Sequence, residues 1–227
     1  MVIGIIPARK GSARLKGKNK KLLGGKPLIK YIVEEALQSK KLSKVILTTD
    51  DEEILDMCSH YQDLILIKRP NKLAESHSPA RDYVIHALDH INRECNYFCI
   101  LQPTSPFTLA SDIDNAINLI YEKKCESVVS VMKVDHAIHP VKLKRIKGSK
   151  LLPMYEDEAD RMADHELDDV YARNCSIYLS NIEVLEKYKK NVLGKDVHCL
   201  IMPRERSIDI NDNFDFMLAE FMLQQRS

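Results

Sequence analysis

The residue types best suited to chemistry stand in a loop near the N-terminus. The apolar run 2–6 breaks at a proline and is followed by the basic, glycine-rich stretch PARKGSARLKGKNKKLLGG. Charge-assisted donors and closely approaching backbone amides are what a phosphate group requires. The residues that supply this charge and this backbone freedom are Arg9, Lys16, Lys18, Gly11 and Gly17.

The glycine spacing excludes two familiar phosphate motifs. A Walker A loop has four residues between its glycines and a hydroxyl residue after its lysine, whereas five residues separate Gly11 from Gly17 and Asn19 follows Lys18. The Gly-x-Gly-x-x-Gly fingerprint of dinucleotide sites is absent as well. A long basic loop that wraps a nucleoside triphosphate remains, as does a solvated loop or localisation-type patch at KGKNKK. The position after a first strand favours the triphosphate.

Apolar runs of strand length alternate with amphipathic helical segments in the first part of the chain. The predicted strands are 2–6, 44–49, 64–67, 97–101 and 127–134. Runs that are apolar on both faces indicate an α/β fold with mainly parallel strands covered by helices on both sides. Ligands bind such sheets at the C-terminal ends of the strands. One site should therefore be surrounded by the loops after Ile6, Thr49, Ile67 and Leu101.

The alternation fails over residues 136–172. This stretch has a basic cluster and then eight acidic residues within 156–170. It is interpreted either as a disordered insertion or as an arm that leaves the domain and packs on a partner. Strands predicted at 174–180 and 197–203 and a helix at 213–224 then restore the pattern.

The composition excludes several classes of protein. The 227 residues suit one domain, and 34 basic against 33 acidic residues give a net charge of +1, which disfavours a nucleic-acid binder. No run approaches the ~18 apolar residues of a membrane span, and no export signal is recognised. The six cysteines are scattered, which is typical of reduced thiols. A cytoplasmic protein without membrane contact is expected.

Six motifs resemble those of the acylneuraminate cytidylyltransferases, the CMP-sialic acid synthetases. They are, in the family's order, IPARKGSARLKGKNKKLLGGKPLI, LTTDDEEI, RPNKLAESHSP, LQPTSPF, RNCSIYL and RSIDIN. The resemblance implies a Rossmann-like nucleotidyltransferase fold, mainly parallel, with one domain over 1–227. It also implies a protruding dimerisation arm inserted at 136–172, and a homodimer that exchanges its arms.

Members of this family transfer CMP from CTP to the anomeric hydroxyl of a nine-carbon 2-keto acid sugar and release diphosphate. The resemblance therefore implies a magnesium-dependent enzyme whose partners are CTP and a nonulosonic acid such as N-acetylneuraminate. Kdo, legionaminate and pseudaminate remain alternative acceptors. A non-catalytic nucleotide-binding relative is an alternative of another class.

The resemblance also implies roles for individual residues at the nucleotide. Arg9, Lys18 and Asp209 would be catalytic, the first two by stabilising the diphosphate leaving group. Ser76 stands where the family commonly has Asp, so the base pocket departs from the family pattern. The implied nucleotide contacts come from Ala8, Arg9, Ser12, Lys18, Asn19 and Arg69.

For the sugar, the resemblance implies contacts from Gln102, Lys142, Asn174 and Tyr178. Lys142 stands two positions after the His139-Pro140 pair and resembles the family's arm lysine, which reaches the sugar carboxylate of a neighbouring subunit. The family's arm arginine has no match, although Asp164 falls near its position with Arg161 close by. Phe107 and Thr108 replace a common Leu-Arg pair.

The motif SIDIND implies the metal site. It puts Asp209 and position 211 on the same side of an extended chain, where two carboxylates could bind Mg²⁺ between phosphates. Position 211 is Asn211 here, whose amide oxygen can ligate but carries no charge. The alternative is helix capping, with Asn211, Asp212 or Asn213 starting the last helix.

Overall fold

A seven-stranded, mostly parallel sheet organises the chain. The computed structural model describes residues 1–12, 14–154 and 167–225. The strands in this part of the chain are β1 (Val2–Ala8), β2 (Leu22–Leu23), β3 (Lys26–Pro27), β4 (Lys44–Thr49), β5 (Leu64–Lys68), β6 (Tyr97–Leu101), β7 (Ser127–Lys133), β8 (Lys144–Lys147), β9 (Lys150–Pro153), β10 (Tyr171–Asn181) and β11 (Val197–Ile201).

The main sheet has the order β11-β7-β10-β6-β1-β4-β5. Its pairs are parallel except those of β10, which runs antiparallel between β6 and β7. Two small antiparallel pairs, β2 with β3 and β8 with β9, lie outside it. The C-terminal ends of β1, β4, β5 and β6 therefore meet at one edge.

Helices cover both faces of the sheet. They are α1 (Leu28–Gln38), α2 (Glu52–Cys58), α3 (Ala80–Asp89), α4 (Ala110–Lys123), α5 (Val184–Lys187) and α6 (Asn213–Gln224). The core cluster on one face contains side chains of α1, α2 and α4, and the cluster on the other face contains side chains of α3 and α5.

Strand β1 shows why its sequence is continuously apolar. Val2 and Ile6 belong to the first cluster, Ile3 and Ile5 belong to the second, and all four side chains are buried. Because successive side chains of a strand point to opposite faces, a central strand with helices on both sides requires apolar residues at every position.

A third apolar cluster lies beside the edge where the strands end. It joins Leu23 of β2, Phe107 after β6, the buried Ile210, and Phe216 of α6. These residues come from three distant parts of the chain. Their packing brings the N-terminal basic loop, the loop after β6 and the C-terminal segment together.

The fold class and the main elements predicted from the sequence are confirmed. The strands at 44–49 and 97–101 coincide with β4 and β6, and the predicted helices are present. The pairs β2–β3 and β8–β9 and the short α5 were not predicted. The predicted arm, 136–172, contains the β8–β9 hairpin, and its role in dimerisation stays a prediction. Arg161 and Asp164 lie outside the described residues.

No helix in the described ranges combines the length and the apolar character that crossing a bilayer would require. All six cysteines are free thiols. The sequence predicted that they would be buried, which holds for Cys58, Cys99 and Cys125 but not for the exposed Cys199.

One ion pair fixes the segment that precedes Asp209. Arg206 donates from Nε and Nη2 to the two carboxylate oxygens of Asp112, over 3.2 and 2.8 Å. Asp112 also accepts from the Leu109 backbone at the start of α4, and its side chain is only 5% exposed. The bidentate geometry therefore attaches the C-terminal segment to α4.

We expect Arg206→Met to lower the free energy of unfolding by about 2 kcal/mol, because it leaves the Asp112 carboxylate buried without its cation. Urea denaturation measures the change. Arg204→Met is the matched control, since the Arg204 side chain is 74% exposed and pairs with the half-exposed Asp135, and surface pairs contribute less than about 1 kcal/mol. Equal effects of the two variants would contradict this account.

Candidate active site

The residues named from the sequence motifs meet in a cavity at the C-terminal edge of the sheet. This cavity of about 300 Å³ is formed by the loops after β1, β5 and β6 and by the first turn of α3. The loop after β4 does not line it. Six of the predicted nucleotide and sugar residues line it together: Arg9, Ser12, Lys18, Asn19, Arg69 and Gln102.

The loop after β4 instead holds the basic loop in place. Lys20 forms an ion pair with Asp51 over 3.0 Å, and the Lys10 backbone donates to Asp50 Oδ1 over 2.7 Å. Gly17 has a φ of 65°, in the left-handed region that favours glycine. This turn leads into the short 3-10 segment Lys18–Lys20, which carries the loop's side chains into the cavity.

Lys18 joins the basic loop to the C-terminal segment. Its Nζ donates to the carbonyl oxygen of Ile210 over 2.6 Å. Burial lowers the pKa of Lys18, and the nearby charges of Arg14 and Arg9 lower it further, while Asp209 acts in the opposite direction. The amine thus lies in a place that is rich in positive charge and poor in water, where an anion would stabilise it.

Asn19 presents an unused acceptor to the cavity. The residue is buried, and its Nδ2 donates to the Arg9 carbonyl over 3.3 Å. Its Oδ1 has no hydrogen-bond partner in the described part of the chain. A buried acceptor without a donor costs about 1–3 kcal/mol, so a hydroxyl or amine of a bound molecule would satisfy it.

Arg69 lies buried at the end of β5 rather than on the surface, where an arginine at a strand end is usually found. It donates from Nη2 to the Thr48 carbonyl over 2.6 Å and from Nε to Thr48 Oγ1 over 3.3 Å. Its guanidinium lies 4.8 Å from the ring centre of Tyr83. Burial lowers the pKa of Arg69 and raises that of Tyr83 to about 12. The planar guanidinium is therefore held rigidly at the cavity wall.

Gln102 is positioned by the strand that pairs with β6. Its backbone donates to the Ser176 carbonyl of β10 over 3.1 Å, and the Ser105 backbone donates to the Gln102 carbonyl over 3.2 Å. Two residues further on, Thr104 accepts from the Ile210 backbone over 2.8 Å. The loop after β6 is thus fixed on both sides, and the half-buried Gln102 side chain faces the cavity.

The acidic candidate Asp209 is held by its neighbour. Asn211 Nδ2 donates to Asp209 Oδ2 over 2.8 Å, and Asn211 Oδ1 accepts from Arg14 Nη2 over 2.9 Å. Asp212, not Asn211 or Asn213, caps α6, since it accepts from the backbones of Phe214 and Asp215. In the described residues no three His, Cys, Asp or Glu side chains are grouped as a metal site.

Asp209 and Asn211 do not line this cavity, and three further predicted residues also lie outside it. Ala8 is buried at the end of β1, opposite Thr49 of β4. Lys142 lies in the predicted arm, with its Nζ 2.8 Å from the His136 ring. Asn174 is buried in β10, where it accepts from Ser130 Oγ over 2.6 Å and donates to Ser207 Oγ over 2.9 Å. Their implied roles at the ligand stay predictions.

Tyr178 of β10 lines a second cavity, which has a volume of about 370 Å³. Arg173 and Lys190 line it as well. Burial and a hydrogen bond with Cys175 raise the pKa of Tyr178, and so does, more weakly, the charge of Asp209.

Comparison with known proteins identifies the family. Residues 3–208 match the model of the family described as Cytidylyltransferase. This chain belongs to the cytidylyltransferase family. The N-acylneuraminate cytidylyltransferase of Escherichia coli O18:K1:H7 is 33% identical over the whole chain, which spans 53% of that relative. The CMP-N,N'-diacetyllegionaminic acid synthase of Legionella pneumophila is 30% identical over 98% of this chain and 96% of the relative.

Two solved structures of other proteins share the fold. The complex of CMP:2-keto-3-deoxy-manno-octonic acid synthetase with CTP superposes with a TM-score of 0.73, at 16% identity, over 100% of this chain and 99% of the other. The 4-diphosphocytidyl-2C-methyl-D-erythritol synthase of Anaerococcus prevotii gives a TM-score of 0.67 at 15% identity, over 98% and 96%.

Sequence reasoning missed several residues of this candidate site. Tyr83 supplies the ring against which the Arg69 guanidinium lies. Arg14 donates to Asn211, and Arg173 lines the second cavity together with Tyr178. Tyr83 belongs to the apolar stripe of a helix, so its sequence pattern indicates core only. Arg14 stands in the basic loop, but its position in the sequence does not distinguish it from lysines of that loop that are solvated.

The buried Lys18 amine makes the stability of this protein depend on pH. Its pKa is lowered in the folded state, so folding is opposed while the amine is protonated. Unfolding takes up a proton between that lowered pKa and 10.5. The destabilisation of the folded state by the protonated Lys18 amine is therefore present in full below the pKa that Lys18 has in the folded protein. It disappears as the pH rises toward 10.5.

We expect the free energy of unfolding of Lys18→Met, relative to that of the parent protein, to decline as the pH rises from 8 to about 10.5. The reason is that only the parent protein becomes more stable as its buried Lys18 amine loses its proton. Urea denaturation at stepped pH measures the difference. Lys16→Met removes an exposed lysine of the same loop and is the matched control. A difference that does not change with pH, or an equal slope for the control, would contradict the burial argument.

Proposed function

We propose that this protein transfers CMP from CTP to the anomeric hydroxyl of a nine-carbon 2-keto acid sugar, N-acetylneuraminate or a close relative, and releases diphosphate. The observation that carries the proposal is the convergence of six motif residues from three loops on one cavity. The names of the two relatives support the class of acceptor. The choice among N-acetylneuraminate, legionaminate, pseudaminate and Kdo belongs to the experiment.

The nucleotide occupies the first cavity in this proposal. Arg69 keeps Nη1 for the carbonyl oxygen of the base, because Nε and Nη2 are engaged by Thr48. Asn19 Oδ1 accepts from a ribose hydroxyl, which satisfies its unused acceptor. Arg9, Ser12 and Lys18 hold the triphosphate.

The reaction is a substitution at the α-phosphorus. The anomeric oxygen forms a bond to phosphorus, the bond to the bridging oxygen breaks, the hydroxyl proton is released, and diphosphate leaves. Charge builds up on the departing diphosphate, and Arg9 and Lys18 stabilise it from fixed positions. Because the Lys18 amine is already desolvated, it interacts strongly with developing negative charge.

Asp209 is the residue that would hold magnesium. Mg²⁺ commonly binds one or two carboxylates together with substrate phosphates, so a single carboxylate beside the phosphate loop fits. Asn211 does not offer its oxygen in the described arrangement, since Oδ1 accepts from Arg14. When bound, the ion would neutralise phosphate charge and polarise the α-phosphate.

The sugar acid lies between Gln102 and the second cavity in this proposal. Gln102, directly after β6, lines the first cavity, and Tyr178 of the neighbouring strand β10 lines the second. Arg173 and Lys190 form no ion pair with described residues, and their charges suit a carboxylate. Lys142 would reach the acceptor from a partner subunit.

A homodimer that exchanges its arms is supported by two exposed apolar surfaces. On the β8–β9 hairpin, the facing side chains of Ile146 and Leu151 are 78% and 66% exposed. On the edge strand β11, Val197 and Ile201 are 39% and 57% exposed, and Val197 also lines the second cavity. Apolar area of this kind is typical of a surface that a partner covers.

We expect release of diphosphate from CTP and magnesium only when a suitable acid is added, in a panel of N-acetylneuraminate, legionaminate, pseudaminate and Kdo. The acid that supports turnover names the substrate. Lys18→Ala should abolish turnover without unfolding, whereas Lys16→Ala should retain it. If no acid supports release of diphosphate, the proposed activity is wrong and the non-catalytic alternative replaces it. An active Lys18→Ala variant would contradict the proposed role of the basic loop in holding the triphosphate.

We expect the protein to sediment as a dimer, and Ile146→Asp with Leu151→Asp to convert it to a monomer, because charges on the hairpin prevent apolar contact. The variant should still bind CTP but lose turnover of the acid. Leu22→Asp is the control, since it alters an exposed leucine outside the arm. A fully active wild-type monomer would rule out the exchange of arms.

A further inference from the structure

A chain of hydrogen bonds joins the basic loop to the C-terminal acidic segment through one amide. Asn211 Oδ1 accepts from Arg14 Nη2 over 2.9 Å, and Asn211 Nδ2 donates to Asp209 Oδ2 over 2.8 Å. The two bonded ends of the amide therefore connect a cation and a carboxylate that lie 195 positions apart in the sequence (Arg14 and Asp209). The backbone of Asn211 is fixed as well, because it donates to Asp215 Oδ2 over 2.8 Å.

An amide can make both contacts, and a carboxylate cannot. An aspartate at position 211 would accept from Arg14 but could not donate to Asp209. It would place a second negative charge where Nδ2 now donates, so the two carboxylates would repel. It would also pair with Arg14 and neutralise the guanidinium. The motif that this segment resembles has Asp at position 211, so the exchange to Asn changes the chemistry of the loop.

The surroundings of Lys18 indicate which role the positive charge of Arg14 has. Arg14 and Arg9 both lie close enough to Lys18 for their charges to lower its pKa, while Asp209, whose effect is larger than that of either arginine, and Asp215 act in the opposite direction. Three cations are thus near neighbours beside the cavity, and Arg9 and Lys18 line it. Such a cluster attracts a polyanion, and each additional cation strengthens its hold on phosphate oxygens.

We propose that Asn211 is a positioning residue that holds Asp209 and Arg14 through a neutral amide, so that Arg14 acts as a third cation for the triphosphate beside Arg9 and Lys18. This inference rests on the proposed function, since it needs a nucleoside triphosphate in the first cavity. It assigns to Asn211 a role other than that of a second metal ligand.

The test measures CTP binding by isothermal titration calorimetry, without magnesium and without a sugar acid, so that no turnover occurs. Arg14→Gln and Asn211→Asp should each weaken binding about tenfold, as expected for the loss of a charge-assisted contact. The double variant Arg14→Gln/Asn211→Ala should bind no more weakly than Arg14→Gln alone, because Asn211 acts through Arg14. Arg14 and Lys16 are both exposed, but only Arg14 bonds to Asn211. Lys16→Gln therefore removes a charge from the same loop without touching this contact, and it should change binding less than threefold, roughly as expected for an exposed charge.

A second titration, with Mg²⁺ and CTP together, separates this role from metal ligation. Under the proposal, magnesium does not restore the binding lost in Asn211→Asp. Binding by Asn211→Asp that equals or exceeds that of the wild type would overturn the inference, and so would additive effects in the double variant. A wild type that binds no CTP would overturn the proposed function and this inference with it. Circular dichroism verifies that each variant is folded.

Discussion

The hydrogen bond from Lys18 Nζ to the Ile210 carbonyl is the contact on which the candidate site depends. It joins the basic loop to the C-terminal segment across 192 positions of sequence. The Ile210 backbone in turn donates to the Thr104 carbonyl, and the Ile210 side chain is fully buried in the third apolar cluster. One residue therefore fixes three loops relative to one another, through two backbone groups and one apolar side chain.

The same cavity concentrates groups that a stable core would avoid. Lys18 is partly desolvated beside Arg14 and Arg9, Arg69 is buried and forms no ion pair with described residues, and Asn19 Oδ1 lacks a donor. Each of these arrangements opposes folding, and the charges of Asp209 near Lys18 and of Asp50 near Arg69 offset this opposition only in part. Because the apolar clusters on both faces of the sheet hold the surrounding backbone, the protein tolerates this opposition. A ligand with negative charge and hydroxyl groups would satisfy all three, which agrees with a nucleotide site.

Much of the fold and part of the site could be predicted from the sequence. The strands were readable because a central parallel strand is apolar at every position, as β1 is, and the parallel order then brings the loops after β1, β5 and β6 to one edge. The direction of β10 was not readable, since apolar runs do not show whether a strand is parallel. The role of Lys20 could not be predicted either, because nothing in the sequence distinguishes it from its neighbouring lysines, although it pairs with the buried Asp51. Such pairs depend on loops that only the folded sheet brings together.

The antiparallel strand β10 separates the two halves of the proposed site. Its partners are β6, which leads to Gln102, and β7, and its register with β7 shifts between Arg173 and Tyr178. Within this irregularity Cys175 has a φ of 61°, where the motif it resembles has Gly, and an L-residue there is strained by about 1–2 kcal/mol. The irregularity allows Ser176 to accept from the Gln102 backbone while Tyr178 faces the second cavity. In the proposed function, the nucleotide half of the site is built from parallel strands with their loops at one edge, and the acceptor half from one irregular strand. Under that proposal, changes in β10 would alter acceptor choice without disturbing the basic loop.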